Sequence, residues 1–244
     1  MQSLLPIEID AHLVELVKAQ QLDPVLDDME RRAGERDFPI VGRAVGRFLE
    51  LQARMIGARR IVELGSGFGY SAYWFAGAVE ASGPGGEVVC TDADPANAAL
   101  AETYLRRAGR WEPVRYHVGD ALEGLAAVEG ELDVVYCDID KEGYPDAWAA
   151  AAERLRVGGL FLCDNVLWDG RVAGLVPGRD GHATGERRVS GTGDGTEQAE
   201  SGHDARAAVT DAIVAMSREV AQDPRYISAI NPVRDGVLVA LRVE

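Results

Sequence analysis

Short apolar runs alternate with alanine-rich stretches through the middle of this chain, and no other feature constrains its fold as strongly. Five runs are rich in Val, Ile and Leu and lack polar–apolar alternation: residues 60–64, 87–91, 114–118, 132–137 and 160–163. Such runs are typical of parallel strands covered on both faces. Helical character marks the stretches between them: residues 71–79, 95–108, 121–127 and 144–155. The sequence therefore predicts an α/β fold with a doubly wound, mostly parallel sheet and right-handed crossovers.

The two ends of the chain have different patterns. Apolar residues recur at three- and four-residue spacing up to about Met55, and Pro24 and Pro39 divide this region into two or three predicted helices. Near the other end, a helix is predicted over about 204–221. Two candidate strands, 226–230 and 237–243, could pair antiparallel at one sheet edge.

One long segment fits no regular pattern. Residues 170–202 are rich in glycine and polar side chains and show no periodicity, which predicts a long mobile loop. We therefore expect a single domain over 1–244, in four parts: N-terminal helices 1–56, a core 57–169, this loop 170–202, and a C-terminal helix and strands 203–244.

The net charge and the hydropathy of the chain limit the kinds of partner that it can bind. The chain has 40 acidic and 25 basic residues, a formal net charge of −15. A broad nucleic-acid contact needs a basic surface, so a nucleic-acid partner is not expected. The sequence has no long uncharged apolar window and begins with no leader-like segment, so we expect a cytoplasmic protein without membrane contact.

A glycine turn follows the first predicted strand. Gly65, Gly67 and Gly69 permit a tight turn and let a ligand approach the backbone. A dinucleotide-binding turn has glycine at the sixth position, where this chain has Tyr70, and the Gly-Lys-Ser/Thr ending of a P-loop is absent. The turn therefore favours a ligand without phosphates, although a purely structural turn remains the alternative.

Acidic residues follow the next two strands. Asp92 is placed to accept hydrogen bonds from a ribose diol; its alternative is helix capping, for which Asp94, just before Pro95, is better placed. Asp120 could accept the exocyclic amine of an adenine or cap the following helix, and both roles stay open. An adenosine attached to something other than phosphate fits this set, and S-adenosylmethionine meets that description.

Oxygen-bearing side chains also follow the fourth and fifth strands. Asp138 lies at the first strand end, and Asp164 and Asn165 lie at the second. Carboxyl ends of parallel strands meet at one sheet edge, so these side chains would supply three oxygen ligands for Mg²⁺, with Mn²⁺ or Ca²⁺ tolerated. The alternative is that they cap the following loops.

Lys141 is one of only two lysines in the chain. Unlike arginine, lysine can act as a general base when its pKa is lowered. Lys141 is therefore a candidate base beside the metal site; the alternative is a surface lysine paired with Asp140 or Glu142.

Three motifs, in this order and spacing, resemble the cation-dependent O-methyltransferases of the caffeoyl-CoA and catechol family. They are the glycine turn with Tyr70 and Ser71, the stretch 138–144, and the stretch 164–171. The resemblance implies a single methyltransferase domain whose cofactor and metal core is residues 57–169. It implies that S-adenosylmethionine is surrounded by Val41, Glu63, Gly65, Gly67, Tyr70, Ser71, Asp92, Asp120, Ala121, Asp138 and Asp140.

The same resemblance implies the chemistry. Mg²⁺ would be held by Asp138, Asp164 and Asn165, Lys141 would be the base, and Lys141, Trp168 and Arg171 would face the substrate. The implied activity is methylation of a hydroxyl on a small catechol-like or caffeoyl-like aromatic by a homodimer. Two alternatives are a tRNA hydroxyuridine O-methyltransferase, which arginine pairs such as Arg59 and Arg60 keep open, and a nicotinamide-dependent oxidoreductase, which Tyr70 disfavours.

Overall fold

The computed structural model describes residues 4–20, 23–174 and 196–244, with the backbone alone described from 196 to 205. These residues form a seven-stranded sheet flanked by helices. The strands are β1 (Arg60–Leu64), β2 (Glu87–Asp92), β3 (Val114–Val118), β4 (Leu132–Cys137), β5 (Leu155–Cys163), β6 (Tyr226–Asn231) and β7 (Val237–Arg242). The α-helices are α1 (Ile7–Lys18), α2 (Val25–Arg36), α3 (Gly42–Met55), α4 (Tyr70–Ala81), α5 (Pro95–Arg107), α6 (Ala121–Ala127), α7 (Tyr144–Ala152) and α8 (Thr196–Gln222).

The strand order is β3-β2-β1-β4-β5-β7-β6. The first five strands in this order are parallel, and β7 runs antiparallel between β5 and β6. The register pairs Leu64 with Cys137 and Cys137 with Cys163. The residues that follow β1, β4 and β5 therefore emerge at the same level of one sheet edge, which is where ligands bind in open α/β sheets.

Two apolar cores cover the two faces of this sheet. One contains Trp74 and Phe75 of α4, and the other contains Trp148 of α7 and Phe161 of β5. Helix α4 is buried along most of its length because it is apolar on every side. It packs closely on α3, where a Cβ at Gly46 would overlap the Trp74 indole. This contact fixes the start of α3 beside the glycine turn.

The structure confirms the predicted doubly wound sheet with an antiparallel C-terminal pair. Where β5 begins was predicted wrongly: it starts at Leu155 rather than at residue 160, and α7 ends at Ala152 rather than at residue 155. Pairing of Leu155 with Leu132, across an irregularity in the register, extends β5 through the glycines that interrupt its apolar run. Tertiary pairing here outweighs local composition.

The predicted loop over 170–202 also needs correction at both of its ends. A short 3-10 helix spans Trp168–Ala173, and α8 begins at Thr196 instead of near residue 204. The early start has a local cause, since Glu, Gln and Ala follow Thr196 and favour helix despite Gly202. The rest of the predicted loop, residues 175–195, lies outside the described residues. Within the ranges described, no helix has the length and apolar character needed to span a membrane.

Candidate active site

A cavity of about 660 Å³ opens at the carboxyl ends of β1, β2, β4 and β5. The residues before α3 and the turn between β6 and β7 complete its wall. The structure brings most of the predicted site residues together on this cavity: Val41, Gly65, Gly67, Tyr70, Ser71, Asp92, Asp120, Ala121, Asp138, Asp140, Lys141, Asp164 and Asn165. Such a volume is ordinary for a small-molecule site.

Gly65 joins the two halves of this cavity. Its φ is 84°, and a Cβ at this position would overlap the carbonyl group of Asp138. The turn after β1 thus approaches the end of β4 more closely than any side chain would permit. Thr91 supports the turn from β2, because its Oγ1 accepts the Gly65 N–H at 3.3 Å and donates to the Glu63 carbonyl at 2.9 Å.

Asp92 is held firmly at the edge of the cavity. Its Oδ2 accepts the N–H of Gly67 at 3.0 Å, and its Oδ1 accepts the N–H of Asp94 at 2.8 Å and the side-chain amide of Asn97 at 3.1 Å. Helix capping falls to Asp94, whose Oδ1 accepts the Ala96 N–H at 2.8 Å. Each oxygen of Asp92 is therefore fixed in orientation toward a ligand.

Asp120 caps α6 with one oxygen. Its Oδ1 accepts the N–H groups of Leu122 and Glu123, both at 2.9 Å. The capping alternative is therefore realised. Because the side chain also lines the cavity, the second oxygen remains available to a ligand, and the two roles are compatible.

Glu63 lies beneath the cavity rather than on it. Its side chain is fully buried, Ser71 Oγ donates to its Oε1, and Cys90 Sγ lies 3.6 Å from its Oε2. Burial raises the pKa of Glu63 to about 7. The structure therefore places Glu63 where it orients Ser71, which does line the cavity.

Tyr70 belongs to a network that the sequence analysis missed. Its hydroxyl donates to Glu30 Oε1 at 2.6 Å, and Glu30 accepts from Arg43 Nε at 2.7 Å. Arg43 is itself buried and also pairs with Asp27 of α2. No local pattern indicates this contact, because Glu30 lies forty residues before Tyr70. The network ties the start of α4 to helix α2.

Two carboxylates converge on the far side of the cavity. Burial raises the pKa of both Asp138 and Asp164, and each lies in the electrostatic field of the other, which raises the pKa of Asp138 further. Asp164 Oδ1 is buried and has no hydrogen-bond partner among the residues that the structure describes. Two such carboxylates side by side are unfavourable unless they take up protons or a cation neutralises them.

The donor set therefore fits a hard divalent cation. Asp138 and Asp164 supply carboxylate oxygens, and Asn165 supplies an amide oxygen, which suits Mg²⁺ with other positions open. Across residues 4–20, 23–174 and 196–244, no three His, Cys, Asp or Glu side chains are arranged to hold a metal ion. The amide of Asn165 is therefore essential to this set. Its φ of 56° is left-handed, a conformation that Asn tolerates better than most residues.

Lys141 lies beside the three candidate metal ligands. Its Nζ donates to Asn165 Oδ1 at 3.3 Å and lies 5.3 Å from the ring centre of Trp168. Trp168 does not itself line the cavity, and neither does Arg171 on the same 3-10 helix. The structure thus groups Lys141 with the three candidate ligands and places Trp168 just behind it.

Arg234 and Asp235 lie in the β6–β7 turn and were not singled out in the sequence. Arg234 lines the cavity, and the fully buried Asp235 accepts the N–H of Asp169 through Oδ1 at 2.8 Å. Burial raises the pKa of Asp235 to about 6. The one available signal was the polar turn at the carboxyl end of a predicted strand.

Comparison with known proteins decides the family. The model of a family described as O-methyltransferase matches residues 18–243. The chain belongs to this O-methyltransferase family. A catechol O-methyltransferase of Mycobacterium tuberculosis is 33% identical over 187 residues, covering 75% of this chain and 82% of that protein. A catechol O-methyltransferase of Niastella koreensis is 34% identical over 131 residues, which span 52% of this chain and only 58% of the relative's length.

The solved structures agree. The O-methyltransferase TomG of Streptomyces achromogenes, in complex with S-adenosylmethionine, has a TM-score of 0.72 and 25% identity over 97% of this chain and 96% of that chain. The predicted family and enzyme class, an O-methyltransferase, are confirmed. The nicotinamide-dependent alternative is set aside, because this family transfers methyl groups.

Proposed function

We propose that this O-methyltransferase transfers the methyl group of S-adenosylmethionine to a hydroxyl of a small aromatic vicinal diol, with a divalent cation in the site. One observation carries the proposal: the buried Asp164 Oδ1, which has no partner in the part of the chain that the structure describes, lies beside Asp138 in the same cavity as the glycine turn and Lys141. A site built only for the cofactor has no use for two buried, mutually repelling carboxylates on its far side.

The cofactor would lie along the carboxyl ends of β2, β1 and β4. Asp92 and Asp120 are oriented for the ribose and the adenine, and the glycine turn leaves the space that a sulfonium with no phosphate needs. Tyr70 and Ser71 at the start of α4 would position its methionine end. The complex of TomG with S-adenosylmethionine supports this choice of donor.

The cation would be held by Asp138, Asp164 and Asn165. When bound, it would lower the pKa of an acceptor hydroxyl and orient the diol. Neighbouring side chains position these ligands. The Tyr144 hydroxyl donates to the Asp164 carbonyl at 2.9 Å, and Lys141 donates to Asn165. These bonds fix the strand ends before any ligand arrives.

Lys141 would take the acceptor proton. Its Nζ, which donates to Asn165 Oδ1 at 3.3 Å, lies beside the candidate ligands, where it would be within reach of a hydroxyl held there. Most of the acceleration would come from alignment of donor and acceptor across Gly65, since methyl transfer gives a protein few other groups to stabilise. Trp168, behind Lys141, would help to hold the Lys141 side chain in place.

The acceptor class is proposed from the relatives and the charge. Both curated relatives described above are catechol O-methyltransferases, and the net charge of −15 disfavours a tRNA acceptor. We also propose a homodimer, since exposed apolar side chains such as Ile9, Leu16, Leu51 and Met55 lie on α1 and α3. Light scattering at a monomer mass would contradict the dimer.

The test is methyl transfer from labelled S-adenosylmethionine to a panel of catechols, with Mg²⁺ and again with EDTA. We expect transfer that EDTA abolishes and added Mg²⁺ restores. Transfer that survives EDTA would refute the role of the cation and keep the methyltransferase. No transfer to any catechol, with S-adenosylmethionine still bound, would refute the acceptor class, and a gel shift with tRNA would then test the remaining alternative.

A further inference from the structure

Arg234 is a strained residue on the wall of the cavity. Its φ of 54° is in the left-handed region, which a long side chain rarely adopts. Its neighbours maintain this conformation: its carbonyl accepts the N–H of Leu4 at 3.0 Å, and the adjacent Asp235 is buried and bonded to Asp169. Strain of this kind is found where the surrounding structure holds a side chain for a purpose.

The turn that carries Arg234 lies on the acceptor side of the cavity. In the strand order β7 is next to β5, and the backbones after the two strands are joined: Val166 N–H donates to the Gly236 carbonyl at 3.2 Å, and Leu167 N–H to the Asp235 carbonyl at 2.9 Å. The glycine turn and the ribose-side carboxylate of Asp92 belong to β1 and β2, on the other side of β4. The backbone of Arg234 is therefore joined to the strand end that carries Asp164 and Asn165, while its guanidinium reaches Ile40, next to Val41 of the predicted cofactor set.

The guanidinium of Arg234 is fixed but not neutralised. Its Nη1 donates to the carbonyl of Ile40, before α3. None of the ion pairs among the described residues includes Arg234, whereas the buried Arg43 has two carboxylate partners. Its positive charge opposes the rise in pKa that burial imposes on Asp138 and Asp164, so its field reaches both. A guanidinium with free donors is suited to a planar anion.

The negative charge of the cavity lining suggests a role for the Arg234 guanidinium. Six carboxylate side chains line the cavity: Asp92, Asp120, Asp138, Asp140, Asp146 and Asp164. Their field would repel an anionic acceptor. Lys141 and Arg234 are the cationic side chains that the described lining contains, and the proposed mechanism uses Lys141 for proton transfer. Arg234 is left to receive an anion.

We propose that Arg234 is a specificity-determining residue that selects aromatic diols bearing a carboxylate, and this inference rests on the proposed function. The carboxylate would bind the guanidinium while the diol faces Asp138, Asp164 and Asn165. The methionine carboxylate of S-adenosylmethionine is the competing anion, because the guanidinium also reaches Ile40 beside Val41, and cofactor binding is measured below to separate the two. An acceptor without a negative charge would leave Arg234 unpaired.

The experiment compares two acceptors that share the diol and differ in charge: protocatechuate and its neutral amide. The ratio of their kcat/KM values is measured for the wild-type enzyme, Arg234→Asn, Arg234→Lys and the control Arg115→Asn. Asn tolerates the left-handed backbone, so the first variant should fold, and Arg115 is exposed on β3, away from the cavity. We expect the wild type to prefer protocatechuate and Arg234→Asn to lose at least about tenfold of that preference, because a charge-assisted hydrogen bond is lost. Arg234→Lys should keep part of it, and Arg115→Asn all of it.

Other outcomes separate the inference from the proposed function. Turnover of both acceptors with the same ratio in wild type and Arg234→Asn would overturn the role of Arg234 and keep the methyltransferase. An unchanged ratio with weaker S-adenosylmethionine binding, measured by calorimetry, would assign Arg234 to the cofactor and also overturn the proposal. If neither acceptor turns over, the proposed function fails. The binding of protocatechuate in the presence of Mg²⁺, measured by calorimetry, then tests the role of Arg234. Weaker binding to Arg234→Asn than to the wild type would support that role, and equal or absent binding would overturn it.

Discussion

The two halves of the cavity differ in how well their polar groups are satisfied. On the β1–β2 side, Asp92 accepts three hydrogen bonds, Asp120 accepts two, and Ser71 is bonded to Glu63. On the β4–β5–β7 side, Asp164 Oδ1 has no partner among the described residues, and it is the one such buried atom whose residue lines the cavity. The first side is preorganised, while the second is complete only when a ligand supplies the missing partner of Asp164.

Strained backbone conformations are also concentrated on the β4–β5–β7 side. Among the described residues, five that are not glycine have positive φ, and four of them lie on the β4–β5–β7 side: Asn165, Trp168, Asp169 and Arg234. The other is Asp37 after α2. Strained backbone is retained where the rest of the fold holds it in place. We therefore expect the β1–β2 side to contribute more to the stability of the fold than the strained β4–β5–β7 side.

The largest effect is expected from Asp164→Asn. Loss of one carboxylate should lower kcat/KM with Mg²⁺ by about 1,000-fold or more, because a bound cation contributes several kcal/mol to the barrier. In EDTA at alkaline pH the same variant should melt at or above the wild-type Tm, because one of two repelling buried charges is removed. Calorimetry with and without Mg²⁺ measures the Tm of the metal-bound and the metal-free protein.

Asp92→Asn is the matched control for that experiment. It removes a charge on the satisfied side, where the carboxylate accepts three hydrogen bonds, so it should lower Tm in EDTA. If Asp164→Asn destabilised the metal-free protein as much as Asp92→Asn does, the two sides would not differ in the way described above.

The next effect concerns Lys141→Ala. Removing the proposed general base should reduce kcat by about 100-fold or more and leave the Kd of S-adenosylmethionine unchanged, because the cofactor is proposed to bind on the β1–β2 side. The control is Lys18→Ala, which removes the only other lysine, on α1, where its partner is Glu15. A wild-type kcat in Lys141→Ala would remove this residue from the mechanism.

Burial of Glu63 should make the stability of the protein depend on pH. The pKa of Glu63 is about 7 in the folded protein against an ordinary value of 4.5, so the folded state binds its proton more tightly than the unfolded state. Its charge therefore destabilises the fold increasingly as pH rises from about 4.5 to 7. The difference in free energy of unfolding between Glu63→Gln and wild type should grow by about 3 kcal/mol in favour of the variant over that window.

Urea unfolding at pH 4.5, 6 and 7.5 measures this difference. Asp235, with a pKa of about 6, and the two candidate ligands titrate in both proteins, so the comparison removes their contribution. A pH-independent difference would show that Glu63 titrates normally in the folded protein.

Much of this architecture was predictable because its causes are local. Strand-like runs and helical stretches alternate over short distances, and polar residues that follow parallel strands must meet at one edge. That reasoning places Asp138, Asp164, Asn165 and Lys141 in one cavity, where the structure has them. It also predicts the turn at Gly65.

The remainder depends on packing between distant segments. Arg234 reaches the cavity because β7 pairs with β5, and no local pattern specifies that neighbour. Glu63 follows the pattern of a cofactor-binding carboxylate, but the position of Ser71 above it leaves it buried. The start of β5 at Leu155 likewise depends on pairing with β4. Tertiary contacts of this kind override local propensity.

The smallest effect is expected in the network that anchors the cofactor side to α2. Tyr70→Phe removes the hydroxyl that donates to Glu30 at 2.6 Å and leaves the ring in its buried position. It should weaken S-adenosylmethionine binding by no more than about tenfold, because one hydrogen bond is lost and the start of α4 loosens. Catalysis at saturating cofactor should be unchanged. Glu30→Ala removes the acceptor of this hydrogen bond and also the carboxylate partner of Arg43, so its effect should be larger, and adding Tyr70→Phe to it should change little more. Full additivity in a double-mutant cycle would mean that Tyr70 and Glu30 act separately. The satisfied side would then owe its preorganisation to the glycine turn and Asp92 alone, with no contribution from α2.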